Sequence, residues 1–198
     1  MGIEVEEFQK GKSTSESLQI LFVGRIARVR RIELLLQAVG KLNIPYHLTI
    51  AGGEEKTSSV TRAGYLNELK QLTKQLGLES EVTFTGKKTS EELKSLYQSA
   101  DIFVYPSLYE NFGQPLMEAA AHGLPLISTP VGVARDIIIE GETGFLVKAK
   151  PEEIKDRIVS LKEANVRLQM GHRIREEVKN RFDWGKIMGQ YVSLYNSL

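Results

Sequence analysis

Ala100-Asp101-Ile102-Phe103-Val104-Tyr105-Pro106, followed by Glu110-Asn111-Phe112-Gly113-Gln114-Pro115-Leu116-Met117-Glu118, is the stretch on which the fold turns. The first run is apolar, short and ended by proline, which predicts a buried strand. Polar residues and a glycine come next, then a proline suited to a first helical position, where φ is already right and an N–H would go unused. Strand, loop and helix therefore follow one another directly. In an open α/β sheet, ligands bind beyond the carboxyl ends of the strands, where a helix start offers unpaired N–H groups to an anion. The N–H groups of Phe112, Gly113 and Gln114 fit that task, and Gly113, without a Cβ, admits a ligand close to the backbone. Glu118, about one turn inside the helix, is placed to accept from a hydroxyl pair such as ribose, and Glu110 from a second polyol across the phosphates. Two acceptors around an anion cradle suggest a nucleotide sugar.

Working outward, the same strand-then-helix pattern repeats, the signature of a parallel sheet covered on both faces. Strands are predicted near 19–23, 46–51, 81–85, 100–105, 125–128 and 144–147. Helices are predicted over 32–42, 62–76, 90–98, 114–122, 133–139, 151–164, 167–180 and 184–196. The last three run consecutively, so the sheet ends before them. Leu34, Leu35 and Ala38 share one helical face, as do Leu66, Leu69 and Leu76 with Thr73 between, and all are expected in the core. Thr89-Ser90-Glu91-Glu92 before Leu93 reads as a capped helix start.

The paired glutamates resemble the E-x7-E signature of the family-4 retaining glycosyltransferases, whose GT-B fold sets two Rossmann-like domains face to face. The spacing alone is unspecific; its flanks give it weight. Leu21-Phe22-Val23-Gly24-Arg25-Ile26 resembles the family's V-G-R-L segment, whose arginine holds the donor diphosphate. An arginine at a strand's carboxyl end presents a planar five-donor fork to phosphate oxygens. The family then has Lys and Gly where this chain has Arg30 and Arg31, the chief departure. Leu48 to Gly53, Val82 to Lys87, Ala121 to Ser128 and Gly141 to Val147 also resemble family segments in the usual order. A milder departure is Gly132-Val133-Ala134-Arg135-Asp136, where the family has paired glycines and a glutamate.

The resemblance implies an α/β fold: a Rossmann-like parallel six-stranded sheet with helices on both faces, the C-terminal half of GT-B. It divides the chain into a linker segment 1–18, a nucleotide-sugar donor-binding domain 19–181 and a closing helix 182–198 that packs back toward the first domain. Gly2 to Phe8 resembles the crossing between domains. Catalytic roles fall on Glu110, Arg25 and Arg30. Donor contacts fall on Gly24, Arg25, Arg30, Gly86, Lys87, Glu110, Asn111, Phe112, Gly113, Gln114 and Glu118. The implied reaction is transfer of a hexose from a UDP- or GDP-sugar with retained anomeric configuration, without a metal or other cofactor. The acceptor domain is absent or supplied separately, so the isolated chain is expected to bind donor and transfer little. The alternative is a non-catalytic nucleotide-sugar binding module or a subunit of a split transferase.

Composition narrows the rest. A length of 198 residues suffices for one domain with its own core. A net charge of +1 argues against a broad nucleic-acid or anionic-membrane surface, leaving peripheral membrane association only through the missing half. The cluster Arg28, Arg30 and Arg31 is local and suits a phosphate ligand or solvent. There is no cysteine, which removes disulfides and thiolate metal sites. No apolar stretch spans a bilayer and no signal core begins the chain, so a cytoplasmic location is the expectation. No Asp-x-Asp pair, G-x-G-x-x-G or Walker glycine loop occurs, which disfavours metal-held diphosphate, hydride transfer and NTP hydrolysis. His47, His122 and His172 are scattered and read as structural, His122 suiting the negative end of its helix if protonated. Tyr105, Tyr109 and Phe112 are candidate stacking walls for a base or sugar, and Lys87-Lys88 a solvated turn.

Overall fold

The computed structural model describes residues 17–54 and 64–197. Six strands, β1 (Leu18–Val23), β2 (Tyr46–Ala51), β3 (Val82–Gly86), β4 (Ile102–Tyr105), β5 (Leu126–Ser128) and β6 (Gly144–Leu146), form one sheet in the order β3-β2-β1-β4-β5-β6. Every pairing is parallel. Parallel neighbours need crossover connections, and right-handed crossovers that start from β1 and run first one way, then the other, cover both faces. Helices α1 (Ile32–Val39), α2 (Tyr65–Gln75) and α6 (Pro151–Ser160) pack as one group, whereas α4 (Gln114–Ala121), α5 (Ala134–Ile137) and α7 (Ala164–Phe182) pack as another. Helix α3 (Ser90–Ser99) lies against β1, and α8 (Trp184–Asn196) follows α7. The switch point of the strand order lies between β1 and β4, where the two directions of winding leave a crevice.

The strands carry the core because both of their faces are covered: Ile20, Phe22, Leu48, Ile50, Phe103, Val104 and Ile127 are all buried. At the amino end of the sheet, Asp101 is buried, accepts from the Gln19 N–H at 2.9 Å and lies 3.6 Å from the Arg167 guanidinium of α7. That ion pair fastens α7 to the β1–β4 seam. Thr89 caps α3 through a capping box, its hydroxyl accepting from the Glu92 N–H while the Glu92 carboxylate accepts from the Thr89 N–H.

Several expectations are corrected. The helix expected over 133–139 closes after one turn, because Ile138 is extended and the Ile139 N–H turns to the Thr143 hydroxyl at 2.7 Å. Leu76 is 40% exposed rather than in the core, since α2 ends at Gln75 and Leu76 belongs to its cap. Leu69 and Thr73 do face inward, with Thr73 returning its hydroxyl proton to the Leu69 carbonyl. Pro115 occupies the second helical position of α4, one later than the sequence predicts. The expectations for residues 1–16 and for the start of the 62–76 helix lie outside the described residues. No helix among the described residues is long and apolar enough to cross a membrane.

Candidate functional site

The carboxyl ends of β1 and β4 place two loops side by side. Gly24 and Arg25 follow β1, tied to the end of β2 through Gly24 N–H to Ala51 O and Ile26 N–H to Gly53 O, each 3.0 Å. Arg25 is exposed at this rim and Gly24 half-buried. Gly86 and Lys87, at the end of β3, lie across the β2 loop: a Cβ on Gly53 would come within 2.6 Å of the Lys87 stem. Lys88 pairs with Glu92 on the next turn.

From β4 the chain enters the loop that carries Glu110. Gly113 adopts φ 93° and is the N-cap of α4, with no side chain capping it. A Cβ there would meet Leu116 at 2.9 Å and Glu110 at 3.3 Å, so only glycine fits both the dihedral and the space. Among the described residues, the N–H groups of Phe112, Gly113 and Gln114 meet no acceptor, which leaves the donors at this helix start without a partner from the chain. Asn111 and Gln114 are exposed beside them, and Phe112 is half-buried. The loop is braced from behind by Gly132-Val133: the Val133 N–H donates to the Phe112 carbonyl at 2.7 Å.

Beneath the loop, Arg30 is 7% exposed. Its Nη1 lies 2.5 Å from Glu110 Oε2, 3.0 Å from the Tyr109 carbonyl and 3.1 Å from the Ser107 hydroxyl, and its guanidinium sits over the Tyr105 ring. Glu110 Oε2 also accepts the Tyr105 hydroxyl proton at 2.6 Å. Tyr105 itself is fully buried, stacked between Phe22 at 5.6 Å and Phe103 at 5.9 Å. The reading of Tyr105 as a candidate stacking wall for a ligand is therefore corrected: its ring is interior and only its hydroxyl serves the site. Burial pushes its phenol far above the ordinary range, with Arg30 opposing and Glu110 adding to the rise. Tyr109 is exposed.

Arg31, where the resembling segments carry glycine, has φ 50°, the sole positive φ of a non-glycine residue among those described. The turn between the 3-10 turn Arg28–Arg30 and α1 thus keeps the left-handed shape despite the side chain. Arg28 turns away to pair with Glu68 and lies over Tyr65, so the three arginines do not act as one patch.

Glu118, on the second turn of α4, accepts the Tyr97 hydroxyl proton at 2.8 Å on Oε2. His122 caps the end of α4, its Nδ1 2.8 Å from the Glu118 carbonyl. Burial lowers the His122 pKa, with Glu118 pulling it up and Lys94 and Arg175 pressing it down. The structure settles the condition attached to His122 at the helix end: burial favours the neutral ring. His47 lies in β2 against Thr83, and His172 in α7.

Sequence reasoning placed the glutamates, arginines and glycine of this corner, and the fold collects them around one crevice. It did not single out Ser107, Tyr97 or Val133, which hold those groups in place. Only Tyr97 carried a signal, one helical turn after Leu93 on the inward face of α3. Among the described residues, no group of three or more His, Cys, Asp or Glu is arranged to hold a metal. A cavity of about 510 Å³ opens beside the crevice, sharing Ser107 and lined by Leu108, Pro130, Val131, Leu146 and Val147.

A doubly wound parallel sheet with an acid-flanked helix start at its switch point defines one half of a GT-B protein. The chain belongs to the glycosyl transferases group 1, which match residues 4–181. It is 31% identical to the D-inositol 3-phosphate glycosyltransferase of Corynebacterium urealyticum, over all of this chain and 50% of that protein. It is 29% identical to the N-acetyl-alpha-D-glucosaminyl L-malate synthase of Bacillus anthracis, over 97% of this chain and 49% of that protein. The chain thus spans about half the length of the curated relatives it matches. The sucrose-phosphate synthase of Thermosynechococcus elongatus superposes with a TM-score of 0.87 at 29% identity, covering 99% of this chain and 51% of that one. The separately crystallised C-terminal domain of a group 1 protein from Francisella tularensis aligns over its whole length and 92% of this chain, with a TM-score of 0.80 at 24% identity. The half represented here is the C-terminal domain.

Proposed function

We propose that this chain is the donor-binding half of a retaining glycosyltransferase, which holds a nucleoside diphosphate hexose for transfer to an acceptor bound by a second domain. The observation that carries the reading is the uncapped helix start at Gly113, bracketed by Glu110 and Glu118 at the β1–β4 switch point. In this reading the diphosphate lies over the N–H groups of Phe112, Gly113 and Gln114. Arg25 reaches it from the β1 loop, and Arg30 adds positive potential from beneath. Such fixed dipoles and cations favour charge building on the departing phosphate, because they need no reorganisation when it forms. Glu110 orients the hexose, Glu118 accepts from the ribose hydroxyls, and the backbone around Gly86 and Lys87 borders the base. Gly24 and Asn111 complete the rim. Residues 19–181 form the binding unit and the closing helix faces the second domain.

Structures of HepE from Anabaena, similar in fold with a TM-score of 0.81 at 22% identity over 92% of this chain and 49% of that one, were determined with UDP-glucose. Uridine diphosphate esters are therefore the first probes. Calorimetric titration of UDP- and GDP-sugars should give micromolar to millimolar binding for one base series, with Glu118→Ala weaker by about tenfold, the equivalent of ~1.4 kcal/mol. Equal affinity of the two proteins would remove Glu118 from the site.

A further inference from the structure

Glu118 is held by a side chain from another helix, which is itself packed by β4 and by the end of α4. From α3, Tyr97 gives its hydroxyl proton to Oε2 at 2.8 Å. From β4, Phe103 meets the Tyr97 ring at a centroid distance of 6.0 Å, and the ring also stacks on His122 at 5.1 Å. His122 in turn contacts the Glu118 carbonyl through Nδ1. Tyr97 is 2% exposed, so its ring is enclosed by the core. A phenol buried this deeply needs an acceptor, and a carboxylate is the strongest one available. Tyr97 keeps its proton, since burial and then the neighbouring Glu118 push its pKa well above the ordinary range. It is therefore a fixed donor. Among the described residues nothing occupies Glu118 Oε1.

We propose that Tyr97 is a positioning residue for ligand recognition: it commits one oxygen of Glu118 to the protein interior and so holds the other ready for a vicinal diol. A free glutamate would have to surrender side-chain rotamer freedom when it met a ribose, whereas this one has surrendered it on folding. The inference rests on the reading of Glu118 as the ribose acceptor and adds the group that makes the acceptor rigid. Tyr97 touches no ligand itself; it acts only through the carboxylate.

The test is a cycle between one side chain and two hydroxyls. UDP and 2′,3′-dideoxyuridine diphosphate are titrated against the 198-residue chain and against Tyr97→Phe, which keeps the ring and removes only the donor. The wild type should prefer UDP by roughly tenfold or more, and Tyr97→Phe should reduce that preference by at least roughly threefold, within the range of coupling between contacting groups. A merely structural role would weaken both ligands alike and leave the ratio unchanged. Because the ratio compares two ligands on one protein, it stays readable at low temperature if the variant melts earlier. A flattened ratio supports the inference. A Tyr97→Phe protein that discriminates as well as the wild type overturns it while leaving Glu118 at the ribose. A wild type that binds both equally, or that binds neither this pair nor the matching guanosine pair, brings down the Glu118 reading itself.

Discussion

Arg30 Nη1 lies 2.5 Å from Glu110 Oε2, with side chains 9% and 16% exposed, so the residue expected to orient a sugar is clamped by a cation in the floor beneath it. The two approach from opposite sides of the switch point, one after β1 and one after β4. Removing either partner of such a pair strands the other in a poorly solvated place, which costs more than the pair itself contributes.

Arg30→Met alone should lower stability by about 2–4 kcal/mol, because Glu110 loses its counter-charge. In the Arg30→Met/Glu110→Gln double variant the loss should be smaller than the sum of the two single changes. Urea denaturation of the four proteins measures it, and strictly additive losses would mean that the ion pair contributes nothing.

Arg31 offers a second test. A non-glycine residue in the left-handed region carries roughly 1–2 kcal/mol of strain, and glycine offsets part of any relief through its larger freedom when unfolded. Arg31→Gly should therefore be neutral or stabilising by up to ~1 kcal/mol, and Arg31→Val, with its branched Cβ, destabilising by more than ~1 kcal/mol. Chemical denaturation midpoints would decide, and a clear loss of stability in Arg31→Gly would show that the arginine side chain contributes more than its backbone strain costs.

Acid should act on the fold in two steps. Burial holds the folded-state pKa of His122 below 6.5. Between that value and 6.5 the unfolded chain takes up a proton that the folded chain refuses, so stability is full above pH 6.5 and falls as the pH drops below it. Glu92 behaves as a carboxylate held down to about 2 from 4.5 by Lys88 and then by the Thr89 cap, so its contribution is present above pH 4.5 and fades toward pH 2. Unfolding midpoints across pH should show both slopes in the wild type. His122→Gln should lose the upper one and keep the lower, and an unchanged profile in that variant would exclude His122 as its source.

Two close backbone approaches separate folding from binding. A Cβ at Gly132 would come 2.3 Å from the Phe112 carbonyl, and one at Gly171 would come 2.1 Å from the Gly123 carbonyl, where α7 crosses the end of α4. Both alanine variants should lose about 1–3 kcal/mol through overpacking. Only Gly132→Ala displaces the loop that presents Glu110, so only it should also weaken nucleotide binding by more than about fivefold. Equal binding losses in the two variants, measured at matched folded fraction, would mean that the Gly132 contact has no special bearing on the site.

The legible part of this protein was periodic and local. The β4 strand, the Gly113 turn and α4 were readable because apolar runs, proline and glycine act within a few residues of themselves. The capped helix start at Thr89 was readable for the same reason, whereas the end of the 133–139 helix was not, since the Thr143 hydroxyl that stops it comes from beyond the segment. Leu76 looked like core because its spacing fits the inward face, but the helix ends just before it and the periodicity no longer applies.

What the sequence determined by itself was the alternation of strands and helices, hence the parallel doubly wound sheet, and the corner at which two glutamates flank a helix start. What the tertiary structure alone decided was who holds those glutamates: Arg30 and Tyr105 for Glu110, and Tyr97 for Glu118. Secondary structure follows from dihedral preference and hydrophobic period, both contained in short windows. The partners of a half-buried carboxylate are instead set by which crossovers bring which strand ends together, and by the requirement that a buried donor find an acceptor, conditions that exist only once the chain has closed on itself.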